Sequence, residues 1–480
     1  MSILDNAQVK IKCQRFTPYE TVIEMLQMAK YDVNNNIIGK KFLDNSFGSG
    51  NVLIEAVKCY ITACEMAGFS PAVIAEMLHR DIYGIELDEE LYAQCLTRLN
   101  AIAENHNLPQ VSWNLLCTDA LRWETDDRFD FIVGNPPYIA YREIDEQNRK
   151  YLRENYKSCG RGKFDYCYAF IEKALRILSE DGILVQLVPN NIYKNVFAED
   201  LRSMLCAHIT QIDIFPSQNL FEEVLTSTSI FVYEANAQTD EIICRDNTSK
   251  HDHYIKRSNL KGKWVFRETN YSQETTYRFG DYFNASSAVA TLLNEAFILS
   301  QEILNAKKIE KGIIRPAVSP KAMHLKRTEY IIFPYFYDDG KLCHIAPESF
   351  EEQYPKVAQY LKTFSDKLQA RKSDKSAHWF EYGRSQALQH LNQEKLLLST
   401  VITNAVEVYH IDCDGIPYTG IYVTPIRDKS IDFAEKILKS RDFMEYIKGI
   451  GISVNGKSMR ITCSDVNNYR FKMEDPAWKN

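Results

Sequence analysis

Along residues 1 to about 235, short apolar runs alternate with longer segments whose apolar positions recur at helical spacing. KKFLD (40–44), DIYGIEL (81–87), VSWNLLCTD (111–119), DFIVG (130–134) and GILVQLVP (182–189) read as strands. VLIEAVKCYITACEMA, DEELYAQCLTRLNAIAEN and FDYCYAFIEKALRIL read as the helices between them. Strands separated by helices of this length predict βαβ units and a parallel sheet. QIDIF (211–215) and STSIFVYEA (227–235) follow closely enough to include an antiparallel edge pair. After Glu234 the pattern loosens. NAQTDEIICRDNTSKHDHYIKRS reads as a linker with one short strand. From about 280 onward, YIIFPYFY and GIYVTPI alternate with helical stretches such as FAEKILKSRDFMEYIKGI, the mark of an α+β domain. The division this implies is a first domain over 1–240 and a second over 241–480.

The strand ends carry the chemistry. The first ends in Asp44 and runs through Ser46, Gly48 and Gly50 into a helix, a loop whose glycines permit a tight turn and close ligand approach. A plain strand–helix turn would show the same glycines. No GK[ST] follows, which excludes a phosphate-cradling P-loop. The second strand ends in Glu86 and Leu87, the third in Asp119 and Ala120. In open α/β sheets ligands bind at this edge, where an acid accepts from ribose hydroxyls and another can accept from an adenine amine. Each acid alone also reads as a surface loop residue; three in series beside a glycine loop point to a nucleoside-like ligand. The fourth strand delivers Asn135-Pro136-Pro137-Tyr138 to the same edge. Prolines stiffen the loop and leave carbonyls free. The Asn135 amide oxygen and the Pro136 carbonyl can each accept one hydrogen of an exocyclic amine, and Tyr138 offers a flat face to a base.

Composition narrows this further. A chain of 480 residues with 45% hydrophobic and 25% charged residues is an ordinary globular one. The first residues lack a signal peptide's apolar core and no run of 18 apolar residues occurs, so the cytoplasm is expected and a membrane is not. Twelve scattered cysteines without CxxC spacing predict reduced thiols and no metal site. The net charge of −7 argues against a uniformly basic surface, but not against a basic cleft. Basic stretches fall in the second half, and Lys256, Arg257, Lys326 and Arg327 are the candidates for phosphate contacts.

With these residues in place, the chain resembles the gamma, TaqI-like group of S-adenosylmethionine-dependent adenine-N6 DNA methyltransferases of type II restriction–modification systems. Arg15-Phe16-Thr17-Pro18 is similar to that group's first motif, and Asp44, Glu86, Asp119 and NPPY match its cofactor and catalytic motifs in order. Asn45 and Phe47 depart from its usual Asp-Pro opening and CGSG loop, and SSAVATLLNEAFIL lacks the glycines of its usual recognition-domain opening. The resemblance implies a Rossmann-like methyltransferase domain with a mostly parallel seven-stranded sheet, followed by an α+β target-recognition domain. It implies S-adenosylmethionine held by Phe16, Thr17, Pro18, Asp44, Ser46, Gly48, Gly50, Glu86, Leu87, Asp119, Ala120, Asn135 and Pro137. Catalysis would fall to Asn135, Pro136, Pro137 and Tyr138, with Tyr138 and Phe221 sandwiching a flipped adenine of double-stranded DNA; by its own pattern Phe221 reads nearly as well as core. One catalytic and one recognition domain per chain suggest a monomer on DNA, and the short stretch before Phe16 leaves too little chain for an attached nuclease, so any restriction endonuclease is expected on a separate polypeptide. The rivals are methyl transfer to guanine N2 of RNA or to protein glutamine, and a catalytically silent DNA-binding subunit.

Overall fold

The computed structural model describes residues 17–215, 228–247, 251–266, 276–426, 429–454 and 458–472. The chain divides into two compact units, 1–268 and 269–480.

In the first unit, helix α1 (Tyr19–Met28) precedes strand β1 (Phe42–Asp44). Then come α2 (Asn51–Met66), α3 (Pro71–Asp81), β2 (Ile82–Glu86), α4 (Glu89–Asn105), β3 (Asn114–Cys117) and β4 (Phe129–Gly134). They are followed by α5 (Glu146–Asn155), α6 (Cys167–Ile177), β5 (Leu178–Pro189), α7 (Glu199–Cys206), β6 (Ile209–Phe215), β7 (Thr228–Glu234), β8 (Glu241–Asp246) and β9 (His251–Lys256). Among the described residues these strands form one nine-stranded sheet, ordered 3-2-1-4-5-7-6-8-9. β1 to β5 pair in parallel, and β7 runs antiparallel between β5 and β6. The order reverses between β1 and β4, so the switch point where α/β sheets bind ligands lies between the Asp44 loop and NPPY. Helices cover both faces, and two apolar clusters form, one built around Leu43, Ile132, Leu184 and Phe231, the other around Phe42, Leu53, Val133 and Leu187.

The seven-stranded expectation is met by β1 to β7, and the sheet then continues. β8 pairs in parallel with β6, and β9 antiparallel with β8. The expected linker is therefore part of the first unit, and the division falls at 268/269 rather than 240/241. Ile242 and Cys244 are buried while Glu241 is exposed, the alternation of a strand covered on one face. Arg202 locks the following segment, donating from Nε to the Gly262 carbonyl at 2.7 Å and from Nη1 to those of Ile192 (2.9 Å) and Asn195 (2.7 Å).

The turn into α2 places Gly50 at φ +87°, and a Cβ there would lie 2.3 Å from Cys95 Sγ. Only glycine satisfies both the left-handed backbone and the close approach of α4. Gly50→Ala is expected to cost about 2 kcal/mol, measured as a lower urea midpoint with an unchanged slope.

The second unit is α+β. One antiparallel sheet orders Phe283–Ser287, Ile421–Pro425, Lys395–Leu398 and Val408–Ile411; a second, mixed sheet orders Ile298–Leu299, Glu329–Ile332, Ile314–Val318 and Ile416–Pro417, the last pair parallel. YIIFPYFY divides at Phe333-Pro334 into Glu329–Ile332 and Tyr335–Asp338, the latter in a hairpin with Lys341–His344. The long helical stretch also divides, into Ile431–Leu438 and Arg441–Ile450, because the Ser440 hydroxyl accepts from the Phe443 N–H and starts a new helix.

Candidate active site

β1 ends in a carboxylate that the fold seals off. Asp44 is 1% exposed, and its Oδ1 accepts the Ser46 N–H at 3.1 Å. Gly134 on β4 allows this, since a Cβ there would stand 2.7 Å from Asp44 Oδ1. Burial pushes the Asp44 carboxyl up to about 8; the Ser46 N–H opposes the rise and the charge of Glu86 adds to it. Next to it, the buried Asn45 amide has neither Oδ1 nor Nδ2 paired among the described residues. The loop then opens: nothing lies within 4 Å of a Cβ position at Gly48, which has φ +57°.

Glu86 is committed to the backbone around it. Its Oε2 accepts the Gly48 N–H at 2.8 Å, and Oε1 accepts those of Leu87 (2.8 Å) and Asp88 (2.9 Å). It thus braces the glycine loop from the neighbouring strand. Burial raises its pKa against the lowering effect of these three donors. Asp119 accepts the Leu121 N–H at 2.9 Å and the Arg122 Nε–H at 3.2 Å. Arg122 lies over the Tyr151 ring at 3.8 Å, which fixes the guanidinium. Ala120 beside it is buried and Leu87 half-buried.

The NPPY loop meets the N-terminal motif. Asn135 Nδ2 donates to Thr17 Oγ1 at 3.2 Å, and Asn51 Nδ2, from the first turn of α2, donates to the Thr17 carbonyl at 3.0 Å. Pro18 follows as the residue before α1. The Ser46 hydroxyl donates to the Asn135 carbonyl at 3.2 Å, tying the glycine loop to NPPY. Pro136 is buried and Pro137 half-buried. The Tyr138 hydroxyl lies 2.6 Å from Asn135 Oδ1 and 2.7 Å from the Leu187 carbonyl of β5. A hydroxyl has one hydrogen, so it serves one of these acceptors at a time. Turning the amide over resolves the conflict: Nδ2 then donates to Tyr138, Tyr138 to Leu187, and the Thr17 hydroxyl to Oδ1. Either way Asn135 and Tyr138 form one hydrogen-bonded unit. Further buried amide atoms without partners among the described residues cluster on β5 and just past it, at Gln186, Asn190 and Asn191.

The structure therefore brings together Thr17, Asp44, Ser46, Glu86 and Asn135 with their loops. Asn51, Asn45 and the Leu187 carbonyl join them; sequence reasoning does not assign these to the site, although Asn51 stands directly after Gly50 at the helix start. Phe16 and Phe221 lie outside the described residues. The proposed phosphate contacts differ from one another. Arg257 is occupied structurally: Nε donates to the Thr239 carbonyl at 2.9 Å, Nη2 to Thr239 Oγ1 at 3.0 Å, and Nη1 to the Cys206 carbonyl. Lys256, Lys326 and Arg327 are exposed. Among the described residues one His/acid group has metal-like spacing, His410 with Asp432 and Glu435, but Glu435 is also paired with Lys439 at 2.5 Å. No described helix is long and apolar enough to cross a membrane.

Residues 63–221 match the family described as Eco57I restriction-modification methylase. The chain is 22% identical to type II methyltransferase M.BstVI of Geobacillus stearothermophilus, over 94% of this chain and 88% of that protein. It is 23% identical to the type II restriction enzyme and methyltransferase RM.Eco57I of Escherichia coli, over 82% of this chain, and spans about half (48%) of that protein's length. Among solved structures, the type IIL restriction-modification enzyme MmeI in complex with DNA superposes with a TM-score of 0.60 at 16% identity, covering 94% of this chain and 65% of that one.

Proposed function

Residues 63–221 belong to the Eco57I-type restriction-modification methylase family, and from that premise we propose that the protein is a site-specific DNA methyltransferase acting on the N6 amine of adenine. The observation that supports this most is the Asn135 amide, held between Thr17, Tyr138 and the Ser46 loop at the sheet's switch point. S-adenosylmethionine supplies an electrophilic methyl group when bound. The residues fit that group: Asp44 offers a buried carboxylate for a cation, Asn45 offers two unpaired amide atoms, and Gly48 leaves open space. Glu86 and Asp119 present the acid edge for ribose and adenine.

Adenine inside a duplex cannot reach this edge, so the base is taken out of the stack. Asn135 Oδ1 and the Pro136 carbonyl accept the two amine hydrogens and turn the nitrogen lone pair toward the methyl donor. Accepting those hydrogens displaces the Tyr138 hydroxyl from Asn135. The Leu187 carbonyl, already 2.7 Å away, takes it over without leaving a buried donor unpaired. Proximity and orientation supply much of the rate. The second unit, 269–480, then reads the target site, with Lys326 and Arg327 among its phosphate contacts, and Lys256 adds one from the first unit. On this reading DNA is the partner, a monomer suffices, and a separately encoded endonuclease would complete a restriction system.

The test is mass spectrometry of nucleosides from unmethylated plasmid incubated with protein and S-adenosylmethionine. N6-methyladenine is the expected product. N4-methylcytosine would overturn the base assignment, and no methylated base despite cofactor binding would overturn DNA as the substrate.

A further inference from the structure

The second unit contains a cavity of about 310 Å³ whose lining includes Arg315, Phe336, His344, Ser349 and Tyr354, and no aspartate or glutamate. Its polar side chains are a guanidinium, an imidazole, hydroxyls and the Gln353 amide, and its walls are rich in aromatic rings. The cavity is not left over from packing, because a buried acid is spent on orienting one of its walls. Glu381 is 1% exposed; its Oε1 is 2.5 Å from His344 Nδ1, and its Oε2 accepts the His378 N–H at 2.8 Å. Burying a carboxylate is costly unless it is fully paired. Here the pairing makes Nδ1 the donor and fixes the imidazole plane, whose edge meets the Tyr335 ring at 5.5 Å. No described residue takes up Nε2, and the His344 side chain is half exposed. Arg315 is held only loosely, 3.9 Å from Asp414. Phe336 is 47% exposed, more than a core aromatic would be.

A loosely held guanidinium and a hydroxyl donate to an oxyanion, and an imidazole whose Nδ1–H is held by Glu381 adds an Nε2–H donor in its protonated form. Exposed rings suit a flat group. Ligand pockets run from about 300 to 1,000 Å³, so this one has room for a single nucleotide and not for a stretch of strand. We propose that the pocket takes one nucleotide of DNA, its phosphate on Arg315 and His344 and its base against the Phe336–Tyr354 wall, with Glu381 as the positioning residue for His344. The identification of the nucleotide as part of DNA rests on the functional reading above; the nucleotide chemistry rests on the pocket alone.

The experiment uses the full chain and two probes, a fluorescein-labelled duplex and free adenosine monophosphate. Arg315→Ala, His344→Gln and Phe336→Ala are compared with wild type by anisotropy over a salt series, after thermal melts confirm folding. Arg315→Ala is expected to lower the salt slope by about one, and Phe336→Ala to weaken duplex binding about tenfold. Glu381→Gln, which keeps the shape but loses the charge, is expected to weaken binding in the same direction as His344→Gln. Unchanged duplex affinity and slope in all folded variants would overturn the proposal. Adenosine monophosphate binding that is lost in the variants while duplex binding is not would overturn the assignment to DNA. Methylation by nucleoside analysis is scored separately. Variants that leave DNA binding untouched in an active methyltransferase sink the pocket alone, whereas pocket-dependent binding by a protein that methylates nothing sinks the functional reading alone.

Discussion

Asn135→Ala is expected to lower methyl transfer by on the order of 10² to 10³-fold, while binding of DNA stays within a few fold. The amide makes its contacts to Thr17 and Tyr138 at a half-buried loop position, so its loss removes hydrogen bonds without opening a core cavity. On the proposed mechanism, what disappears is the acceptor that orients the amine. Single-turnover rates under saturating cofactor separate this from a binding defect. Tyr138 provides the control. Tyr138→Phe keeps the ring and frees the Asn135 and Leu187 oxygens from competition for one hydrogen, so its rate should stay within about tenfold of wild type. Tyr138→Ala removes the proposed stacking surface and should cost more. Equal losses in the two tyrosine variants would show that the hydroxyl, not the ring, carries the role, and a nearly active Asn135→Ala would end the assignment of this amide.

The legibility of this site in the sequence is uneven for physical reasons. β1, β2, β4 and β5 are buried parallel strands, so FLD, IYGIE, FDFIVG and GILVQLVP stand out as apolar runs ended by glycine, proline or an acid. The chemistry at their ends can be located because the loop follows the strand directly. β8 and β9 read as a linker because EIICRD and HDHYIK mix charge with apolar residues, as strands toward a solvated sheet edge do. The role of Glu86 is half visible: an acid at a strand end is a ribose acceptor by position, but its three backbone donors come from a loop 38 residues away and from its own turn. The Thr17–Asn135 contact joins residues 118 apart and has no local signal beyond the two motifs themselves. In the second unit, Ser440 between two apolar helical stretches is the missed cap, a polar residue whose hydroxyl competes with continuation of the helix.

Asp44→Asn is expected to stabilise the cofactor-free protein at pH 8 and to weaken cofactor binding at the same pH. The folded carboxyl titrates at about 8 and the unfolded one near 3.8, burial being the main cause of the difference. Below pH 3.8 both states hold the proton and the residue costs nothing through ionisation. Between 3.8 and 8 the unfolded chain releases the proton while the folded chain keeps it, so stability falls as pH rises. Above 8 both are ionised and the slope vanishes. A displacement of this size corresponds to a penalty on the order of 5 kcal/mol once both carboxyls are ionised, reduced by whatever relaxation admits water. Other buried acids, Asp165 among them with a carboxyl pushed up to about 6, tilt the whole curve, so the informative quantity is the difference between wild type and variant. Urea unfolding at pH 5 and pH 8 should show that difference growing in favour of the amide. Such a cost is tolerable if the charged form is wanted when a cation arrives. Calorimetry of S-adenosylmethionine binding near pH 7, in buffers of different ionisation enthalpy, should then show a proton released by wild type and none by Asp44→Asn. A wild-type curve parallel to the variant's from pH 5 to 8 would mean that Asp44 is already ionised in the free protein, and that its charge is compensated inside the fold rather than reserved for the ligand.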